Sequence, residues 1–357
     1  MPPFERARRL LARAIHDRVC PAACVEVGSS RGADWTEPFG TLTYAPDAPP
    51  VRIDTIFDLA SLTKVIATTT LTLQLAAAHR RAIDAPVAEW IPEWDAADRA
   101  GTTVRDLLEH CSGLPAYAPF FERGLTPRAF RREVASSRFA YAPRTASVYS
   151  DLGFVVLGWI LEAAGGASLD ALWTSARSGS GLRVEDECGY RPPSDWRARV
   201  APTRRDPWRN RLLIGEVDDN NAWALGGVAG HAGLFGTAGA VGRFARCWLG
   251  ALGADKMNPL LATAPRAMVE AFLRPSHVSG SSRACGWDLM RPTSSCGSRM
   301  SSRAFGHTGF TGTSLWIDPE RDCYVVLLTN RVHPAAGSSD GIQTLRRALH
   351  DALLGTG

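Results

Sequence analysis

Two hydrophobic patterns divide the chain. Over residues 57–80, FDLASLTKVIATTTLTLQLAAAHR, a short polar start gives way to a run that is apolar on nearly every side. That is the pattern of a helix enclosed by protein rather than one lying on a surface. Before it, 22–28 and 40–44 read as short strands joined by a polar turn over 29–38, a hairpin. After it helical periodicity dominates: 104–110, 127–136, 152–164, 169–176 and 239–252 are predicted helices, punctuated by Gly113, Pro115 and Gly165-Gly166. In the last third, 285–289, 313–317 and 323–329 are strand-like, and 341–354 closes as an amphipathic helix. Another amphipathic helix opens the sequence, with Leu10, Leu11, Ala14 and Ile15 on one face. Residues 191–210, rich in Pro, Arg and Trp and without a period, read as a long surface excursion. Strands thus sit at both ends of a helical middle.

Composition narrows the function classes. At 357 residues with 45% hydrophobic and 21% charged residues, the chain reads as a soluble globular protein with ample length for a core. A net charge of +4 spread over scattered arginines argues against nucleic-acid binding, and no apolar run reaches the length of a membrane span. The first residues are charged throughout and lack the apolar stretch of a signal peptide, so the expected compartment is the cytoplasm. The eight cysteines are irregularly spaced, and neither close pair (Cys20 with Cys24, Cys285 with Cys296) is followed by a second pair at zinc-finger spacing. They are expected as reduced, buried thiols, with no metal and no cofactor.

Lysine occurs only at 64 and 256, so 38 of the 40 basic residues are arginine and Lys64 stands out. Residues three apart share a helix face, so Ser61 and Lys64 bring a hydroxyl and an amine together, with Thr68 a further turn along. The positive end of a helix and burial both disfavour an ammonium, which predicts a lowered Lys64 pKa and an amine able to take the serine proton. The alternative is a helix-capping Ser61 beside a Lys64 that reaches out to water. Gly28-Ser29-Ser30-Arg31-Gly32 matches the G-x-S-x-G nucleophile pattern, but no helix follows Ser30, and a hairpin turn accounts for it.

Three further stretches carry candidate chemistry. Tyr149 lies in a loop just before a helix start. There its phenol can exchange a proton with Ser61 and Lys64, a neighbouring cation favouring phenolate; a buried Tyr before an N-capping Asp151 is the alternative. Gly306-His307-Thr308-Gly309-Phe310-Thr311-Gly312 leads into a strand whose small residues let a substrate lie along its edge. His231 sits in the glycine-dense turn GGVAGHAGLFG, facing a cleft or filling a structural role.

In this order, Ser61-Leu-Thr-Lys64, Tyr149-Ser-Asp151 and His307-Thr-Gly309 resemble the three motifs of the serine penicillin-recognising enzymes, especially class C β-lactamases and their D,D-peptidase and esterase relatives. LLEHCSGLP at 107–115, YSDLGFVVLG at 149–158 and GGVAGHAGLFGTA at 226–238 extend the resemblance over most of the chain. It implies an α+β, β-lactamase/transpeptidase-like fold: an antiparallel sheet flanked by helices, from 1–54 and 281–357, with a mostly helical region from 55–280, forming one catalytic unit. It also implies acylation of Ser61, proton traffic through Lys64 and Tyr149, an oxyanion hole from the N–H groups of Ser61 and Phe310, and substrate binding by Asp151, His307, Thr308 and Gly309. Two departures stand out. Asp151 replaces an amide and would raise the Lys64 pKa; His307 replaces a permanent cation and, with a pKa of about 6.5, would bind a substrate carboxylate only when protonated. The expected substrates are small esters, amides or β-lactams, with esterase activity favoured, β-lactamase or D-alanyl-D-alanine carboxypeptidase as alternatives, and a non-hydrolytic penicillin sensor as another.

Overall fold

The computed structural model describes residues 3–79, 82–179, 187–253 and 258–355, so Lys256 lies outside the described residues. In chain order the elements that position the site are helix α1 (Pro3–His16), strands β1 (Ala22–Ser29), β2 (Gly32–Gly40) and β3 (Phe57–Asp58), and helices α2 (Thr70–Ala78), α3 (Val104–Leu108) and α4 (Asp151–Gly165). Strands β4 (Cys188–Tyr190) and β5 (Leu234–Gly236), helix α5 (Ala238–Leu252), strands β6 (Asp288–Leu289), β7 (Phe305–Thr308), β8 (Ser314–Asp318) and β9 (Cys323–Thr329), and helix α6 (Asp340–Leu353) follow.

Six strands form one antiparallel sheet in the order β2-β1-β9-β8-β7-β6, so the two ends of the chain interleave. β1 and β9 are central and covered on both faces: all eight residues of β1 are buried, and β9 reads CYVVLLT with only its first residue partly exposed. Apolar runs without alternation are what two-sided burial requires. Helices α1 and α6 cover one face, where Ala7, Leu11, Ile342 and Leu349 meet Val25, Trp316, Val325 and Leu327. α5 covers the other, and its Phe244 and Trp248 join an apolar core that runs from Cys24 and Leu328 through α2, α3 and α4.

The structure moves one strand. Residues 32–40 are not a turn but β2, paired along β1 from Ala33 opposite Gly28 to Gly40 opposite Ala22, and the hairpin turn is only Ser30-Arg31. β2 lies at the sheet edge with one side exposed, so it tolerates the polar residues and the Pro38 that hid it. Residues 191–210 also differ from expectation. They hold a short helical turn (Ser194–Arg199) and one strand, Arg205–Asp206, of a two-stranded ribbon completed by Arg211–Leu212, and Val200, Ala201 and Asp206 are buried. Asp206 is held there by Arg209, a buried pairing that leaves no periodic trace in the sequence.

A small sheet in the order β3-β5-β4 matters most for the site, because β3 delivers the chain to Ser61 and α2. Among the described residues no single helix is long and apolar enough to cross a membrane. The most apolar, α4, owes its composition to the core around it.

Candidate active site

The entry to α2 is tightly built. After β3, the Leu59 N–H donates to the Leu234 carbonyl, Ala60 takes the left-handed conformation at φ +46°, and Ser61 follows. The chain then winds through π-type turns over Lys64–Thr69 before becoming regular α-helix. Wide turns of this kind concentrate at functional sites. The Ser61 hydroxyl does not cap the helix: its Oγ accepts from Lys64 Nζ at 2.9 Å and from the Tyr149 hydroxyl at 2.9 Å. Nor does Lys64 reach water, since it is fully buried.

Tyr149 and Asp151 are set by the start of α4, where the Ser150 hydroxyl accepts from the Gly153 N–H and donates to the Pro115 carbonyl. Beneath them His110 accepts the Ser150 N–H on Nδ1 and packs its ring 4.7 Å from that of Tyr149. That contact places the histidine of the LLEHCSGLP stretch against the site.

Of the opposing influences expected on Lys64, the carboxylate prevails over burial, whereas the phenolate expected at Tyr149 is not favoured. Burial pulls the Lys64 ammonium toward neutrality, but the Asp151 carboxylate at 2.7 Å and Tyr149 more than offset it, and the Lys64 pKa ends above that of ordinary lysine. Lys64 donates to Ser61, to Asp151 and to the His231 carbonyl at 3.0 Å, which uses all three of its N–H bonds. For Tyr149, burial outweighs the favourable pull of Lys64, so its pKa is raised rather than lowered toward phenolate. The resting site therefore holds an ammonium and a neutral phenol.

His307 also departs from expectation. It is buried on β7, and burial, followed by the positive charges of Arg283 and Lys64, pushes its pKa well below 6.5. Its Nδ1 faces the Thr308 carbonyl at 2.8 Å, so the proton sits there and Nε2 keeps a lone pair with no protein partner. A neutral imidazole cannot serve as the cation for a carboxylate. The pocket beside Ser61, about 540 Å³, supplies others: Arg283, whose guanidinium lies 5.3 Å from the Tyr149 ring centre, Arg331 and Arg346.

Arg346 is the unusual one. It is 94% buried by its 6% exposure, its Nη2 donates to the carbonyls of Gly309 and Thr313, and its Nε has no partner. Among the described residues no carboxylate lies within ion-pair distance of it. Burial, then Arg331, lowers its pKa to about 9.

Thr308, Gly309 and Phe310 line the pocket; a Cβ at Gly309 would run into Thr313 Oγ1 and the Leu59 carbonyl, so only glycine fits between β7 and the Ser61 turn. Neither the Ser61 nor the Phe310 backbone N–H has a partner among the described residues, which leaves two donors free near the serine. His231 lines the same pocket, buried, with Nε2 2.9 Å from Asp219 Oδ1. Ser30 lies apart, in the β1–β2 turn, its hydroxyl bonded to Asp322.

Ser61, Lys64, Tyr149, Asp151, His307, Thr308, Gly309, Phe310 and His231 thus come together around one cavity. Asp219, His110, Arg283 and Arg346 were not found from the sequence. The arginines gave no signal in a chain with 38 of them, whereas His110 lay inside a stretch already singled out.

The sequence model of the family described as Beta-lactamase matches residues 36–349. The chain is 28% identical over 320 residues to a putative D-alanyl-D-alanine carboxypeptidase of Salmonella gallinarum, covering 80% of this chain and 72% of that protein. It is 29% identical over 317 residues to an N-acetylmuramyl-L-alanine amidase of Bacillus subtilis, covering 79% and 69%. Among solved structures, a class C beta-lactamase superposes with a TM-score of 0.77 at 18% identity, over 99% of this chain and 97% of the other. With the family match spanning most of its length, the chain belongs to the Beta-lactamase family of serine hydrolases.

Proposed function

We propose that the protein hydrolyses amide or peptide bonds through an acyl-enzyme on Ser61, and that its substrates carry a carboxylate on the leaving side of the scissile bond. The observation that carries the first part is the double hydrogen bond to Ser61 Oγ from Lys64 and Tyr149. Because the resting pair is ammonium and phenol, the working form is the one from which a proton has been lost. That form takes the Ser61 proton as Oγ bonds to the substrate carbonyl, and returns it to the departing amine as the carbonyl–nitrogen bond breaks. The N–H groups of Ser61 and Phe310 face the developing oxyanion, and water then releases the acyl group.

The second part rests on Arg346. A buried guanidinium without a counter-charge is costly, and a substrate carboxylate beside Thr308 supplies the missing charge, with Arg283 lining the same pocket. This favours anionic peptides over the esterase activity on small molecules expected from the sequence, in keeping with relatives named for carboxypeptidase and amidase activity.

The test is steady-state kinetics on a D-Ala-D-Ala peptide, its C-terminal amide, p-nitrophenyl acetate and nitrocefin, with Ser61→Ala and Arg346→Gln variants. We expect kcat/KM for the free carboxylate to exceed that for the amide at least about tenfold, a preference lost in Arg346→Gln, since charge-assisted bonds contribute roughly 1.5–3 kcal/mol. Equal rates for acid and amide would remove the anionic preference. Undiminished activity in Ser61→Ala would remove the nucleophile.

A further inference from the structure

We infer that Asp58 is a positioning residue for the nucleophile, its carboxylate clamping the Ser61 turn and the pocket wall that carries Asp219 into one unit. The inference rests on Ser61 being the nucleophile. Asp58 Oδ1 accepts from the Ala60 N–H at 2.8 Å, and Oδ2 accepts from the Asp218 N–H at 2.6 Å. The first bond closes the turn in which Ala60 sits at φ +46°, a conformation that a residue with a Cβ adopts reluctantly and that aims the next residue, Ser61, into the pocket. The second ties in the segment whose next residue, Asp219, lines the pocket and holds His231, whose carbonyl in turn accepts from Lys64. The Asp58 carbonyl completes the junction by accepting from Thr311 Oγ1 behind the Phe310 strand edge.

The carboxylate does this at 2% exposure and without a cation in ion-pair reach among the described residues, an arrangement that stability alone does not favour. Burial, then Asp218, raises its pKa to about 7. The charged and titratable groups that face it are Asp218 and Asp219, with Arg204 and Arg331 against Asp218 and His231 against Asp219. A proton on Asp58 turns one acceptor oxygen into a donor, so one of the two amides loses its partner.

Two effects of that proton then have opposite signs. The folded protein binds it more tightly than the unfolded chain, so this group's contribution to stability grows as pH falls from about 7 toward 4. Ser61 reactivity falls over the same window, because the turn is released. A purely structural carboxylate would not separate the two.

The experiment is the rate at which a neutral fluorophosphonate labels Ser61, measured from pH 5 to 9 alongside the melting temperature, in the full chain and in Asp58→Asn. Asparagine keeps one acceptor and places an NH2 against the other N–H. Labelling in folded Asp58→Asn should drop about 10- to 100-fold, the scale of a misplaced catalytic group, and should lack the extra decline below neutrality shown by the wild type. Equal labelling of the two folded proteins overturns the inference. So does a wild-type rate that shows no extra decline below pH 7 or tracks the melting temperature, a readout that stands even where the variant does not fold. Failure of the wild type to label at Ser61 would instead sink the nucleophile assignment on which the inference rests.

Discussion

Asp151→Asn tests the electrostatics of the site most directly. The carboxylate lies 2.7 Å from Lys64 Nζ and, after burial, is the largest influence on the lysine; burial alone would lower the pKa. Two unit charges 4 Å apart in a surroundings of effective dielectric 20 interact by about 4 kcal/mol, equivalent to roughly 3 pH units. The Asp151 side chain keeps 22% of its surface, and solvent screening trims the effect. Loss of that charge therefore lowers the Lys64 pKa, because burial is then left without its largest counterweight. The assay is single-turnover acylation by a neutral activated ester between pH 6 and 11. Wild-type rates should climb with pH far into the alkaline range, because the working base must lose a proton that Asp151 holds in place. In Asp151→Asn the climb should begin at lower pH. A climb at unchanged pH, or one displaced upward, would refute the idea that Lys64 and Tyr149 share the base role under Asp151 control.

Two further outcomes follow from the same geometry. Gly309→Ala should abolish acylation, with loss of melting temperature, because its Cβ meets the Leu59 carbonyl two residues before Ser61; an active, stable variant would show that the strand edge and the serine turn are not in contact. Asp219 carries a pKa of about 2: burial would raise it, but His231, the Ala222 amide and Lys64 outweigh that. A depressed carboxylate contributes stability that is present above its unfolded pKa near 3.8 and is lost as pH falls through about 2, here roughly 2 kcal/mol. Urea unfolding of wild type and Asp219→Asn at pH 2 and pH 6 should converge at the lower pH; a constant gap would contradict the assignment.

The serine and lysine were legible in the sequence for a local reason. Ser61 and Lys64 are one helical turn apart, so their meeting depends only on that turn forming, and the Lys64 N–H closes it on the Ser61 carbonyl at 3.1 Å. The central strands and long helices were legible too, because β9, α4 and α5 are buried on most sides and their composition says so. Tyr149 was a candidate from its loop before a helix start and His307 from its glycine-rich stretch, and the resemblance joined them to Ser61, since nothing within either stretch specifies a partner 88 or more residues away.

What only the tertiary structure decided was every quantity that depends on distance across the fold. The sign of the Lys64 shift turned on Asp151, 87 residues along the chain, which with Tyr149 outweighs burial. His307 proved neutral because it is buried beside Arg283 and Lys64, not because of its own chemistry. Edge strand β2 was hidden because its partner supplies the hydrogen bonds while water covers its polar side. Arg346 without a counter-charge and Asp58 bridging two amides are likewise invisible in one dimension. Local periodicity encodes which face of an element is buried; the electrostatics of a site are sums over neighbours that only folding assembles.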